Sequence, residues 1–195
     1  MRRISLSMVA GALLLSACNG GADLDGAGRP EGREDSTALA ATVGCQPVNE
    51  DVPDEGVAHV PQPPTNQNVP ASSGPHNPSP LPPDIGFYDQ PFDPTFEFRA
   101  VHNLEHGYVL IYYEQESENA LPDEVVGELR DLAESEEEVI MAPYPNLKED
   151  ENLVLIAWTT EQRCDVEGET DDVRAVAESF IDTYRNGPAP EPAIP

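Results

Sequence analysis

Two histidines four residues apart, with a glutamate beside the second, form the segment HNLEH at residues 102–106. If this segment makes one helical turn, His102 and His106 point from the same helix face, because side chains four positions apart are neighbours there. Imidazole is the commonest metal-binding side chain, and it is neutral at pH 7. The spacing therefore predicts that His102 and His106 bind a metal ion. Glu105 is predicted to support them by orienting an imidazole or capping the turn.

His59 and His76 are the other two histidines of the chain. They follow the sequences GVA and SSGP, which are typical of turns or extended connections. Proteins often place binding residues on such connections, because a rigid scaffold holds them in position. Gly74 and Pro75 also restrict the backbone just before His76. We therefore predict His76 as a further metal ligand and His59 as an additional one.

Three or four imidazoles without a free thiolate suit Cu(II) or Zn(II). Copper is predicted ahead of zinc, because Cu(II) binds nitrogen ligands more tightly than Zn(II) does. Met141, in the apolar run EVIMA, is a candidate soft thioether ligand that would favour copper, although a methionine in such a run is more often part of a core. An exported protein with this site would capture, buffer or deliver the metal.

Two alternative interpretations of the histidines stay open. HNLEH matches the H-x-x-E-H motif of inverzincin metallopeptidases, in which His102 and His106 would bind zinc and Glu105 would be the general base. That motif needs a long helix, whereas Gly107 and the apolar run after it predict an end after one turn, so binding is favoured over catalysis. In the second alternative the domain is a metal-free interaction module, and its histidines make only turn hydrogen bonds.

The elements that must position these histidines lie mostly after residue 94. Continuous or alternating apolar residues predict four strands, in TFEFRAV (95–101), YVLIYY (108–113), EVIMA (138–142) and LVLIAW (153–158). Apolar residues at helical spacing predict helices over residues 121–133 and 173–184. The order predicts an α+β fold, in which a small, mainly antiparallel sheet of about four strands is covered by two helices.

Proline is abundant in residues 47–94 and again in residues 188–195. A packed helix or a central strand does not tolerate so much proline. We therefore predict an ordered but irregular wrap for the first segment and an extended tail for the second. A single domain over residues 44–187 would contain all of the predicted elements, which is a common domain size.

The first 17 residues are typical of an export signal, with two arginines, an apolar stretch and then small residues. The sequence LSAC resembles the lipobox of bacterial lipoproteins, in which the cysteine after the cleavage site carries lipid. We therefore predict an exported protein of the cell envelope, anchored to a membrane through lipidated Cys18, and to the outer membrane if the cell is Gram-negative. Residues 18–43 have little aliphatic bulk and are predicted to be a flexible acidic tether.

The net charge limits the classes of possible partner, and the two cysteines other than Cys18 bear on the cellular compartment. A formal net charge of −27 repels nucleic acid, so no nucleic-acid partner is expected, whereas a protein partner is left open. Cys45 and Cys164 are an even remainder in a chain bound for an oxidising compartment, which predicts one disulfide between them. A metal site built on the two thiolates is the alternative, and it lacks CxxC spacing.

Five motifs stand at intervals along the chain: SGPH at 73–76, GFYDQP at 86–91, VHNLEHGYVLIYY at 101–113, APYPNL at 142–147, and LVLIAW followed by Cys164. In order and spacing they resemble the domain-of-unknown-function 3105 family (DUF3105) of exported bacterial proteins. The resemblance covers about residues 45–185, and all four histidines fall where the family pattern has histidine. It implies one compact domain built around these motifs, and it implies no reaction.

Overall fold

The computed structural model describes residues 31–64, 69–90, 94–145, 147–167 and 172–192. The predicted signal peptide, Cys18 and the first part of the predicted tether lie outside these residues. Within the described ranges, none of the helices combines the length and the apolar character needed to span a bilayer.

The described elements form one mixed sheet and four helices. The strands are β1 (Val109–Tyr113), β2 (Val139–Pro143), β3 (Leu153–Ala157) and β4 (Thr160–Cys164), and the helices are α1 (Glu31–Thr42), α2 (Pro94–Glu105), α3 (Asp123–Ser135) and α4 (Asp172–Tyr184). The sheet order is β2-β1-β3-β4, with β1 and β2 parallel and the other two pairs antiparallel. The predicted α+β fold with a mainly antiparallel sheet is confirmed.

Successive side chains of each strand point to opposite faces of the sheet, and a core cluster covers each face, so the central strands are buried on both sides. On the first face, Ile111 and its neighbours pack against apolar residues of α1, α3 and α4. On the second face, Leu110 and Tyr112 pack against Ala100, Val101 and Leu104. The two predicted helices, α3 and α4, therefore cover only the first face, and the second is covered by α2 and the proline-rich segment.

The strand predicted in TFEFRAV is wrong, since these residues belong to helix α2. Alternation of Phe96, Phe98 and Ala100 over a short window suggested a strand. The buried residues Ala100, Val101 and Leu104 instead follow helical spacing and face the second core cluster. A proline at the first helical position is compatible with this helix, because the N–H it lacks has no intrahelical partner there.

The fourth strand of the sheet is β4, with the sequence TEQRC, which the sequence analysis did not predict. It carries polar residues, and yet Gln162 and Arg163 are buried. Arg163 is neutralised by Glu151 at 2.6 Å and Glu161 at 2.7 Å. Pairing with β3 and these ion pairs make the strand stable without an apolar pattern.

The predicted flexible tether is wrong for residues 31–42, because these residues form helix α1. Ala40 and the following Val43 are buried in the first core cluster, and Leu39 packs against it. Three apolar side chains close together are enough to dock the end of this short helix. Directly after it, Cys45 and Cys164 form the predicted disulfide, which is confirmed.

Gly107 lies between α2 and β1 in the left-handed region, with φ of +92°. A Cβ atom there would lie 3.0 Å from the Asn186 Cα and closer still to its side-chain oxygen. We expect Gly107→Ala to lower the free energy of unfolding by about 2 kcal/mol or more, through backbone strain and this clash. Urea denaturation of the variant measures the loss.

Gly127 provides the matched control for that substitution. It lies inside α3, and a Cβ atom there would meet nothing within 4 Å. Because alanine favours a helix over glycine, Gly127→Ala should raise the free energy of unfolding by about 0.5–1 kcal/mol. Equal effects of the two alanines would contradict the assignment of strain to Gly107.

Candidate metal centre

The histidines come together where the proline-rich wrap meets the end of α2. Residues 59 and 76 form a parallel bridge, in which the His76 N–H donates to the Ala58 carbonyl and the Val60 N–H donates to the His76 carbonyl. This pairing places the His59 and His76 rings 4.9 Å apart, measured between centroids. The proline-rich wrap therefore places two imidazoles side by side, although neither residue lies in a regular strand.

Helix α2 supplies the other side of the centre. His102 and Glu105 lie in its last turn. Asn103, between them, exchanges two hydrogen bonds with the backbone of Leu81, at 2.8 and 3.2 Å. The Asn77 N–H also donates to the Phe98 carbonyl at 2.9 Å. These bonds clamp the wrap onto the helix and fix the position of His76 relative to His102.

Four candidate ligands form one group, consisting of His59, His76, His102 and Glu105, with one ligand atom from each. These four atoms all lie within 4.8 Å of one another. Bonds of about 2.0–2.2 Å to zinc or copper allow ligands on one ion to be separated by up to about 4.3 Å. Side-chain adjustments of about half an ångström would therefore bring the whole group within bonding distance of a single ion.

The protons on three imidazoles follow from the carbonyl groups behind them. His76 Nδ1 lies 2.8 Å from the Gly74 carbonyl, and His102 Nδ1 lies 2.7 Å from the Asn77 carbonyl. His106 Nδ1 lies 3.1 Å from the Glu191 carbonyl. A carbonyl oxygen only accepts hydrogen bonds, so each Nδ1 carries a proton, and in the neutral form of each ring the lone pair is on Nε2.

These lone pairs face other acceptors rather than donors. His76 Nε2 lies 3.1 Å from Glu105 Oε2, and His102 Nε2 lies 3.1 Å from His106 Nε2. Two ligands on one ion at angles of 90–109° are separated by about 2.9–3.4 Å, given bonds of about 2.0–2.1 Å. Each pair is therefore spaced for a cation, either an added proton or a metal ion.

Burial keeps the central imidazole neutral. Removal of His102 from water lowers its pKa below the ordinary value of 6.5, and the nearby rings of His76, His106 and His59 lower this pKa further. The Asn77 carbonyl opposes this effect by stabilising the protonated form. At pH 7 the Nε2 lone pair of His102 is therefore free to coordinate a metal.

Exposure differs sharply across the centre. The His76 side chain is fully buried and that of Glu105 is 5% exposed, whereas that of His59 is 47% exposed. His59 stacks on His102 with ring centroids 4.9 Å apart and an interplanar angle of 11°. An ion can therefore reach the buried ligands past the exposed His59 ring.

Several predicted roles change in the structure. Glu105 was predicted to orient an imidazole or cap the turn. Its Oε2 instead lies among the ligand atoms, 3.1 Å from His76 Nε2 and 3.5 Å from His59 Nε2. His106 contacts His102 but is not part of the four-residue group. Helix α2 has 12 residues, so the expectation that HNLEH forms a single turn is wrong.

Met141 is not near the histidines, so its prediction as a soft ligand is wrong. Its side chain is fully buried in the core cluster on the first face of the sheet. Helix α2, which carries His102, packs on the second face with Leu110 and Ile140. Strand alternation therefore places Met141 on the opposite side of the sheet from the imidazoles.

Glu191 belongs to the centre and was missed by the sequence analysis. Its backbone N–H donates to the Glu105 carbonyl at 3.0 Å, and its own carbonyl accepts from His106 Nδ1. The predicted proline-rich tail therefore folds back across the end of α2. No local pattern signals this contact, because Glu191 and His106 are 85 residues apart in the chain.

Comparison with known proteins yields one family. A family model described as "Protein of unknown function (DUF3105)" matches residues 59–195, which include all four histidines and the tail. No curated protein matches the chain significantly. No solved structure matches it significantly either.

Proposed function

We propose that this chain, which belongs to the DUF3105 family of proteins of unknown function, binds a divalent transition-metal ion through His59, His76, His102 and Glu105. One observation supports this most strongly. The carbonyl groups behind His76 and His102 leave their Nε2 lone pairs directed at other acceptors. A bound cation removes this repulsion, and the backbone carbonyls then orient the ligands as they do in established metal sites.

Copper(II) is the proposed ion, and zinc(II) is its main competitor. The donor set has three imidazoles and one carboxylate, and Cys45 and Cys164 are committed to a disulfide. Nitrogen ligands bind Cu(II) more tightly than Zn(II). Since Met141 lies on the other face of the sheet, the preference for copper rests on the imidazoles alone.

The surroundings of the site suit cation capture outside the cytoplasm. The formal net charge of −27 attracts cations from solution towards the domain. His59 is exposed at the entrance, while His76 and Glu105 are buried below it. We propose that the protein is exported, anchored to a membrane through lipidated Cys18, and captures or delivers the metal at the cell envelope.

The single tryptophan of the chain provides a direct assay. The rings of Trp158 and His76 have centroids 6.4 Å apart. Cu(II), with a partly filled d shell, quenches a nearby excited indole, whereas Zn(II), with a filled shell, does not. Titration of the chelator-treated protein with Cu(II) should quench Trp158 fluorescence saturably, with a Kd of about 1 μM or tighter. Zn(II) should compete without quenching.

His102→Ala and Gln115→Ala test the assignment of this signal to the site. Gln115 is exposed and outside the ligand group, so its variant should titrate like the parent protein. His102→Ala should lose saturable binding. If the parent protein binds neither ion at about micromolar concentrations, the proposal is refuted, and a purely destabilising effect of His102→Ala would favour the metal-free interaction module.

A further inference from the structure

We propose that a second divalent cation binds beside the first, between Glu105, His106 and Glu191, so that the two ions share the Glu105 carboxylate. One ligand atom from each of these three residues lies within 4.8 Å of the other two. This inference rests on the proposed function, because Glu105 also belongs to the first site. It adds a second ion and assigns a role to the tail.

The tail is held in place by its backbone, independently of any ion. The Asn186 N–H donates to the Gly107 carbonyl at 2.9 Å, and the Glu191 N–H donates to the Glu105 carbonyl at 3.0 Å. Between these two points, Ala189 packs against the second core cluster. These contacts present the Glu191 carboxylate to the end of α2 although its side chain is exposed.

The charges at this position favour a cation. Glu105 and Glu191 bring two carboxylates together in a chain that already has a formal net charge of −27. Two like charges this close repel each other, and the burial of Glu105 strengthens this repulsion because it lowers the local dielectric. A divalent ion between them replaces the repulsion with attraction.

The geometry of Glu105 allows the carboxylate to be shared. Its contacts with His59 and His76 both use Oε2, at 3.5 and 3.1 Å. Oε1 makes neither of these contacts, and we assign it to the second ion. In known two-metal sites the ions are about 3.5–4 Å apart, a separation that one bridging carboxylate can span.

The second ligand set is harder than the first, with one imidazole and two carboxylates. Imidazole-rich sets such as the first favour copper and zinc, whereas carboxylates suit hard cations such as manganese, and zinc accepts both kinds of ligand. We therefore expect Zn(II) to fill both positions, and the second position to bind Zn(II) more weakly than the first. Copper would prefer the first position.

Calorimetric titration with Zn(II) tests the second position. The chelator-treated parent protein should bind two equivalents, and Glu191→Gln should bind one. Glu118→Gln is the matched control, since it removes an exposed carboxylate outside both ligand groups, and it should bind two. Loading with two equivalents of Cu(II) gives a second measurement, because two nearby Cu(II) ions couple in the electron paramagnetic resonance spectrum and one does not.

The outcomes separate this inference from the proposed function. One equivalent of Zn(II) in the parent protein would overturn the second position and leave the first. Two equivalents in Glu191→Gln would also overturn the role of Glu191. The absence of binding to the parent protein would refute both proposals. Two equivalents in the parent and one in Glu191→Gln, with a coupled copper spectrum only in the parent, would support the shared centre.

Discussion

Replacement of His76 by alanine should weaken Cu(II) binding by about 100-fold or more. His76 is fully buried, its Nδ1–H is bound to the Gly74 carbonyl, and its Nε2 faces Glu105 Oε2. Loss of a group that merely orients a ligand costs 10–100-fold in metal affinity, so loss of a preoriented ligand should cost at least the upper value. Competition with a coloured chelator of known affinity measures the change.

Two further variants separate loss of a ligand from loss of folding. His76→Gln keeps a polar side chain of similar size but removes the imidazole, so it should lose a comparable part of the affinity. Leu81→Ala removes a buried apolar side chain from the same wrap, so it should destabilise the fold by about 2–5 kcal/mol. Its folded fraction should keep Cu(II) affinity within about 10-fold. Parent-like affinity in both His76 variants would remove His76 from the site.

Removal of the disulfide should cause a large loss of stability. Cys45 and Cys164 are 119 residues apart in sequence, and the chain-entropy model gives a stabilisation of roughly 4–5 kcal/mol for a loop of this length. The bond joins the end of α1 to β4, so it ties the start of the described chain to the edge of the sheet. Urea unfolding of the Cys45→Ala, Cys164→Ala double variant measures the difference in unfolding free energy.

Backbone hydrogen bonds near the disulfide also hold this segment against β4, so they decide how much of the stability depends on the disulfide itself. The Gln46 N–H donates to the Arg163 carbonyl, and the backbones of Asn49 and Glu161 exchange two bonds. If these bonds alone hold the segment, the double variant will lose less than about 1 kcal/mol, and the disulfide will be shown to be redundant. The parent protein treated with a reductant should unfold like the double variant, while Cu(II) binding should persist in the folded fraction of the double variant, which needs no reductant.

Local patterns in the sequence predicted much of the fold. The runs in β1, β2 and β3 are continuous and apolar, and the structure buries both of their faces. Helices α3 and α4 repeat apolar residues at helical spacing, and the disulfide follows from the two cysteines that remain once Cys18 is assigned to the lipid anchor. Each of these signals lies within the element itself, or in a simple count.

The wrong and missing secondary-structure predictions arose where a short sequence pattern was ambiguous or absent. Phe96, Phe98 and Ala100 alternate as the residues of a strand do, and the helical spacing shows only when Val101 and Leu104 follow, at three and four residues from Phe98 and Ala100. Strand β4 has no apolar pattern, because its stability comes from pairing with β3 and from the ion pairs of Arg163.

By itself the sequence identified the four histidines as candidate ligands, and it placed His102 and His106 one helical turn apart. Only the tertiary structure decided that His59 and His76 join His102, that Glu105 turns towards them, that Met141 faces away, and that Glu191 returns to the end of α2. The physical reason is that side-chain chemistry and helical spacing are local properties. The gathering of these side chains at one site instead depends on strand register and on hydrogen bonds between segments that are distant in the chain.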